Sequence, residues 1–192
     1  MKMIAFLKQN SFRLLIAAPC VGFGIGILVL FIARNTQPTV QGSPWKTFLN
    51  IGSDGESVLQ KAIRAGVGIY ALPKEEVVYF MANTDEEGNR LEAGHRYRIS
   101  GNAPFTRIWS ITLYDDDHRL SANPLERYHI NGSMMNTEQG QPYSFIISSK
   151  EENDYWLPAP EKGNIVLCYR IYLPPASTFP IQASQLPRIQ KL

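Results

Sequence analysis

The sequence predicts a mainly β protein, a β-sandwich or jelly roll with one short N-terminal helix, preceded by a single transmembrane helix. Three observations carry this reading. Beyond Gly68 the chain breaks into short β-type runs separated by turn residues; before them lies one stretch with helical spacing; near the front, twenty residues pass without a charge. At 192 residues, 44% of them hydrophobic, the chain is long enough for one domain with a real core and an additional segment.

That segment is the uncharged run from Leu14 to Ala33, LLIAAPCVGFGIGILVLFIA. As a helix rising ~1.5 Å per residue it spans the ~30 Å hydrocarbon layer of a bilayer. A cleaved signal peptide shares the basic start, here Lys2, Lys8 and Arg13, but has a shorter apolar core of about 7 to 15 residues ending in small residues. This run leaves instead through Phe31-Ile32-Ala33-Arg34, and a lipoprotein reading of Ala17-Ala18-Pro19-Cys20 is disfavoured by the proline before the cysteine. An uncleaved anchor is the preferred reading. Basic residues before the run outnumber Arg34 and the more distant Lys46 after it, which puts residues 1–13 in the cytoplasm and the remainder outside it.

Lys2, Lys8, Arg13 and Arg34 are 4 of the 19 basic residues, whereas all 17 acidic ones lie beyond residue 43, so the exported part carries 15 minus 17, or −2. The positive balance of the whole chain belongs to the flanks of the anchor and implies no nucleic-acid-binding surface. Within the anchor, Ala18, Gly22 and Gly26 form a small-xxx-small row that would let two helices approach closely, making a homodimer one option. The ordinary frequency of glycine in membrane helices is the preferred explanation. The Gly22-Phe23-Gly24-Ile25-Gly26 run lacks the preceding strand that a dinucleotide loop requires. Cys20 in the anchor cannot pair with Cys168 in the same molecule, so there is no disulfide framework, and Cys168 reads as a small buried hydrophobe.

Residues 34–44 are polar, carry two prolines and one glycine, and read as a linker to a domain over 45–174. Ser53-Asp54-Gly55-Glu56 has capping-box spacing, and Val58, Leu59, Ala62 and Ile63 follow at helical spacing until Gly66, predicting a helix over 54–65. Val77 to Met81 reads as a strand, Asp85 to Asn89 as a turn, and His95 to Ile99 as a strand. Trp109, Ile111 and Leu113 share one strand face, and Asp115 to Arg119 form a turn. Tyr143, Phe145 and Ile147 alternate in the next strand. In the last, Ile165, Leu167, Tyr169, Ile171 and Leu173 share one face, with Val166, Cys168, Arg170 and Tyr172 on the other. Residues 175–192, rich in proline, are expected to run as extended coil along the surface.

The residue types that could carry chemistry fit catalysis poorly. Asp115-Asp116-Asp117-His118 crowds oxygen ligands into one loop but lacks the alternate spacing and glycine of a calcium loop, so a solvated turn is favoured. His95, His118 and His129 are single and lack the His-x-His pair of a metal-binding jelly roll, and no metal is expected. Ser110 has no Gly-x-Ser-x-Gly elbow, and Ser133 sits in the flexible Asn131-Gly132-Ser133 triplet. Binding chemistry fits better. Arg170 and Arg127 each place a planar five-donor guanidinium among apolar residues, either paired within the fold or presented in a cleft. Asn123 and Tyr128 flank Arg127. Trp109 and Trp156 are either core aromatics or stacking platforms for a sugar ring or apolar ligand.

Several of these residues recur in one order: Trp109-Ser110-Ile111-Thr112-Leu113-Tyr114-Asp115, Asn123-Pro124, Arg127-Tyr128, Trp156-Leu157-Pro158-Ala159-Pro160 and Arg170-Ile171-Tyr172. In that order they resemble the bacterial domain of unknown function 1214, over roughly Trp45 to Pro174. Larger members place a second uncharacterised domain, number 1254, ahead of this one; this chain looks like the short, envelope-anchored subgroup without it. The resemblance implies a jelly-roll-like β-sandwich, a bacterial inner membrane with the domain in the periplasm, and no established activity. Departures at Ile108, Tyr155 and Glu138-Gln139-Gly140 put ligand contacts at those positions in doubt. The expectation is a non-catalytic module without cofactor, binding an envelope glycan, a small ligand or a partner protein through a cleft near Arg127, Trp156 and Arg170. The alternative is an envelope enzyme of hydrolase or isomerase type, using a carboxylate with His129 beside Arg127 and Arg170.

Overall fold

Alternation of apolar and polar residues along the strands sets the architecture, because successive side chains point to opposite faces and only one face can join the core. A computed structural model describes residues 17–29, 31, 39–47, 52, 55–58, 60–62, 72–152 and 155–192. Nine strands follow one another in it: β1 (Lys46–Thr47), β2 (Val77–Ala82), β3 (Tyr97–Asn102), β4 (Ile108–Asp115), β5 (His129–Asn131), β6 (Pro142–Ser148), β7 (Trp156–Pro158), β8 (Ile165–Tyr172) and β9 (Arg188–Lys191). They form a five-stranded sheet in the order β1-β2-β8-β4-β5 and a four-stranded sheet in the order β7-β6-β3-β9. Every pairing is antiparallel except β6 with β7. The expected mainly β architecture is thus present as two sheets over one core.

The core is aromatic at its centre. Trp109 of β4 stacks on Tyr143 of β6 across the two sheets, with ring centroids 4.5 Å apart. Tyr169 of β8 meets Trp109 edge-on and lies against both Phe80 and Trp45. All five rings are buried. Such contacts contribute about 0.5–1.5 kcal/mol per pair beyond the burial of their area. The inward faces of β4, β6 and β8 are those expected from alternation, and Ile111, Leu113, Phe145, Ile147, Leu167 and Ile171 complete them.

The predicted turns form as expected, and both use the same device. Asp85 Oδ1 accepts the backbone N–H of Glu87 and of Asn89 at 3.0 and 2.8 Å. Asp115 Oδ1 accepts those of Asp117 and Arg119 at the same distances. The fourth residue of each turn has positive φ, Gly88 at 86° and His118 at 59°. A carboxylate that binds the amides two and four residues on supplies the hydrogen bonds that a tight turn would otherwise leave unmade.

The N-terminal parts differ from expectation in detail. Residues 17–29 are helical and exposed, but among the described residues no helix is long and apolar enough to cross a membrane. The ends of the predicted 14–33 span lie outside the described residues. In the predicted 54–65 helix, residues 58 and 60–62 are helical, and the predicted cap at Ser53 lies outside the described residues. Ser57 and Gln60 exchange hydrogen bonds in this turn: the Ser57 N–H donates to Gln60 Oε1 at 3.0 Å, and the Gln60 N–H donates to Ser57 Oγ at 3.2 Å. Glu56 accepts from the N–H of Gly52. Val58, expected on the packed face, is 83% exposed.

The C-terminal segment is the larger correction. Residues 175–192 were expected as surface coil, yet two short 3₁₀ turns (Ala176–Thr178 and Ala183–Gln185) lead into β9, which pairs with β3 and completes the second sheet. Leu186 and Ile189 are buried there. Prolines at 174, 175, 180 and 187 dominate the sequence signal, but each precedes the strand, where proline removes no ladder hydrogen bond. The outer edge of β9 is not left open. Glu86 donates its N–H to the Ile189 carbonyl, its carboxylate accepts from the Ile189 N–H, and it pairs with Arg188 at 3.4 Å. Trp45, fully buried, fastens the two ends of the domain by donating its indole N–H to the Pro187 carbonyl at 2.6 Å.

Trp45→Ala removes this ring and strands the carbonyl. In urea denaturation it is expected to lower stability by about 3–5 kcal/mol, whereas Leu120→Ala at an exposed site changes it by no more than ~0.5 kcal/mol. Equal effects would mean that the clasp contributes nothing.

Candidate functional site

The outward face of the five-stranded sheet collects the polar side chains that the core rejects. Arg170 on β8 lies opposite Tyr79 of β2 on one side and Ser110 of β4 on the other. Ser110 in turn faces Asn131 of β5, and Thr112 faces His129. The β2 flank is covered: Val77, Tyr79 and Cys168 form a small buried cluster, and the Tyr79 hydroxyl accepts the Leu72 N–H at 3.1 Å. Towards β5 the face opens, with Ser110, Tyr114 and Asn131 half-buried and His129 exposed.

Arg170 is half-buried at the boundary between these two zones. It donates one N–H to Thr112 Oγ1 and one to Tyr114 Oη, both at 2.9 Å, and its guanidinium carbon lies 5.8 Å from the centre of the Tyr114 ring. Two of the five donors of a guanidinium are thereby used, both on neutral oxygens. Burial works against its charge, but the neighbouring Cys168, Tyr114 and Tyr172 outweigh burial and hold its pKa above the ordinary value. Among the described residues no carboxylate pairs with Arg170. Beside it, burial pushes the Cys168 thiol up to about 11, with Arg170 opposing that rise.

Arg127, Asn123 and Trp156 belong to a different structure. Asn123 Oδ1 accepts the Arg127 N–H at 3.1 Å, and its Nδ2 donates to the Arg127 carbonyl at the same distance. Arg127 Nη1 then donates to the Trp156 carbonyl on β7 at 2.8 Å, and Trp156 Nε1 donates to the Ser148 carbonyl at 2.8 Å. Tyr128 contributes its carbonyl to Leu113. The group is a brace that ties the β4–β5 connection of one sheet to the edge strand of the other. Among the described residues no hydrogen bond or ion pair joins it to Arg170, so of the residues expected around one cleft, Arg127 and Trp156 share a brace and Arg170 stands on the open face. Trp109 is no platform either: it is 3% exposed at the core centre, and a Cβ added at Gly132 would lie 2.8 Å from its indole nitrogen. Ala18, Gly22 and Gly26 are exposed on the N-terminal helix, where a Cβ added at either glycine would meet nothing within 4 Å beyond the helix itself.

The other chemistry-bearing residues are engaged locally. His129 shares a 3.3 Å contact with Asn131, and His95 pairs with Glu92 at 3.3 Å. Asp116 is held by Asn164 and Arg90, which together lower its pKa against the opposing effect of burial. Among the described residues no group of three or more His, Cys, Asp or Glu could hold a metal ion. The hydroxyls of Tyr143 and Tyr169 are buried among the described residues without a partner, and burial raises both phenol pKa values. A separate open groove of about 800 Å³ runs over β3, β6 and β9, past Ser100, Asn102, Ser144 and Ser184, with Glu86 and Arg188 neutralising each other at its rim.

Thr112, Tyr114 and Asn131 were not singled out from the sequence. Alternation from Trp109 does place Ser110, Thr112 and Tyr114 together on the outward face. The register that sets Arg170 beside them spans some sixty positions of chain and has no local signature.

Comparison with solved structures gives a fold and no activity. The VPA0106 protein from Vibrio parahaemolyticus aligns with a TM-score of 0.62 at 22% identity, covering 90% of this chain and 44% of that one. This chain therefore spans less than half the length of that relative. An uncharacterized protein from Burkholderia cenocepacia aligns over 60% of this chain and 29% of its own, with 15% identity and a TM-score of 0.43, too distant to inform the fold. No curated protein matches the chain. The profile described as Protein of unknown function (DUF1214) matches residues 76–176, from the residue before β2 to the first turn after β8. With more than half of its length in that match, the chain belongs to the DUF1214 family.

Proposed function

We propose that this chain is a non-catalytic binding module of the bacterial envelope, with its ligand site on the outward face of the five-stranded sheet around Arg170. The observation that carries the reading is a half-buried guanidinium whose partners among the described residues are the neutral oxygens of Thr112 and Tyr114. Partial burial takes water from the guanidinium without putting an opposite charge in its place, and a ligand anion would supply one. Catalysis gains little support from the same face. His129 contacts the Asn131 amide, with no carboxylate among its partners, and the Cys168 thiol stays protonated at neutral pH. The brace at Asn123, Arg127 and Trp156 supports the site only by holding the β4–β5 connection.

The uncharged run over 14–33 and the basic residues before it support an anchor in the inner membrane, with a periplasmic domain. A jelly-roll-like chain path is supported by successive strands changing sheet, β2 to β3 to β4 and again β5 to β6. Resistance to alkaline extraction from membranes, lost on deleting residues 14–33, is the result that fits the anchor; extraction of the intact chain refutes it.

Two outcomes test the binding reading. In a thermal-shift screen of the full chain in detergent, small carboxylic acids and envelope glycans are expected to include a ligand that stabilises the protein. At 100 times its dissociation constant the gain is ~2.7 kcal/mol; it should vanish in Arg170→Gln and survive in Arg127→Gln. The reverse pattern would move the site to the brace, and no shift with any compound would end the small-ligand reading.

With Cys20 replaced by Ser, Cys168 should react with iodoacetamide at pH 8 only as fast as the protein unfolds. Because burial raises this thiol's pKa, the unfolded chain releases the proton first as pH climbs past roughly 8.5. Stability should therefore fall between there and about 11, and rapid native labelling would show an accessible, reactive thiol instead.

A further inference from the structure

The outward face also limits what its ligand can be. Across the outward positions of β2, β4, β5 and β8 there is no Asp or Glu, and Arg170 is the one permanent charge. Around it stand the hydroxyls of Ser110, Thr112 and Tyr114 and the Asn131 amide, groups that donate hydrogen bonds without adding charge. Three guanidinium donors remain after Thr112 and Tyr114 take theirs. A planar fork beside donors on one side matches a planar two-oxygen acceptor, which a carboxylate presents and a neutral hydroxyl compound does not. One positive charge in a partly desolvated setting balances one negative charge; a dianion would leave the second uncompensated.

We infer that the face around Arg170, Ser110 and Asn131 is a carboxylate-binding site, taking a small monocarboxylic acid with its two oxygens on the guanidinium. This rests on the proposed binding role and goes further by fixing the ligand class. The open side lies towards β5, where His129 is exposed and Asn131 half-buried, and Tyr114 presents its ring to the guanidinium. The carboxylate therefore sits inward on Arg170 and the body of the acid points outward over the sheet. Directly across from Arg170 stands the short, polar and uncharged Ser110, where an acidic residue would make a closed ion pair.

Three probes of one shape separate the terms: benzoate, its neutral isostere benzamide, and the dianion phenyl phosphate, titrated calorimetrically into the full chain in detergent micelles. Benzoate should bind, benzamide should bind roughly tenfold to a hundredfold more weakly because it forms no charge-assisted bonds, and phenyl phosphate should not exceed benzoate. Arg170→Lys keeps the charge and loses the fork, and should weaken benzoate. Ser110→Glu supplies a carboxylate from within and should raise the melting temperature while abolishing benzoate binding; this variant reads the same chemistry even if Arg170 variants fail to fold. Binding that depends on Arg170 but is equal for benzoate and benzamide, or tighter for phenyl phosphate, overturns the carboxylate assignment and leaves the binding site. Binding indifferent to Arg170→Lys and to Ser110→Glu overturns the site as well. Absence of binding by all three probes overturns the inference outright.

Discussion

The contact on which the rest of the structure depends is the stack of Trp109 on Tyr143, the point where the two sheets meet ring to ring. Tyr169 and Trp45 extend it sideways, and through the Trp45 indole it reaches Pro187 at the far end of the chain. Two sheets that share one aromatic centre are held at a fixed separation, so their outward faces become stable surfaces on which polar side chains can be positioned. The placement of Arg170 is a by-product of this: Tyr169 and Ile171 are bound inward on either side of it, which leaves it no direction but outward.

That centre is built with an internal cost. Tyr143 and Tyr169 each bury a hydroxyl without a partner among the described residues, where two phenylalanines would fill nearly the same space. An unsatisfied buried hydroxyl costs about 1–3 kcal/mol. Other polar atoms of the same cluster are satisfied: the Tyr97 hydroxyl accepts the Glu92 N–H and the Trp45 indole donates to Pro187.

Much of the fold was legible because it rests on local pattern. Alternation at Trp109-Ile111-Leu113, at Tyr143-Phe145-Ile147 and at Ile165 to Ile171 gave the three central strands and their inward faces, and Asp85 and Asp115 announced their turns. What escaped detection depends on contacts distant in sequence. Strand β9 offers one buried apolar residue, Ile189, between charged and polar neighbours, and becomes a strand only because β3 is there to pair with it. Strand β7 runs Trp-Leu-Pro and is too short to show a period. The site divided in the same way. Arg170 was recognisable as a guanidinium in apolar company, but nothing local could separate it from Arg127, whose side chain finds a backbone carbonyl on another sheet.

The Glu86 clamp on Ile189 has a consequence for how copies of this protein behave beside one another. A sheet ends in a strand with unpaired N–H and C=O groups, and such an edge is a template for joining the sheet of a neighbour. Among the described residues the four edges are β1 with two residues, β5 and β7 with three each, and β9 with four. β5 and β7 are too short to recruit a strand. The longest is occupied by a carboxylate and an amide of its own chain. Along β9, therefore, a neighbouring copy meets side chains and an edge already hydrogen-bonded within its own chain.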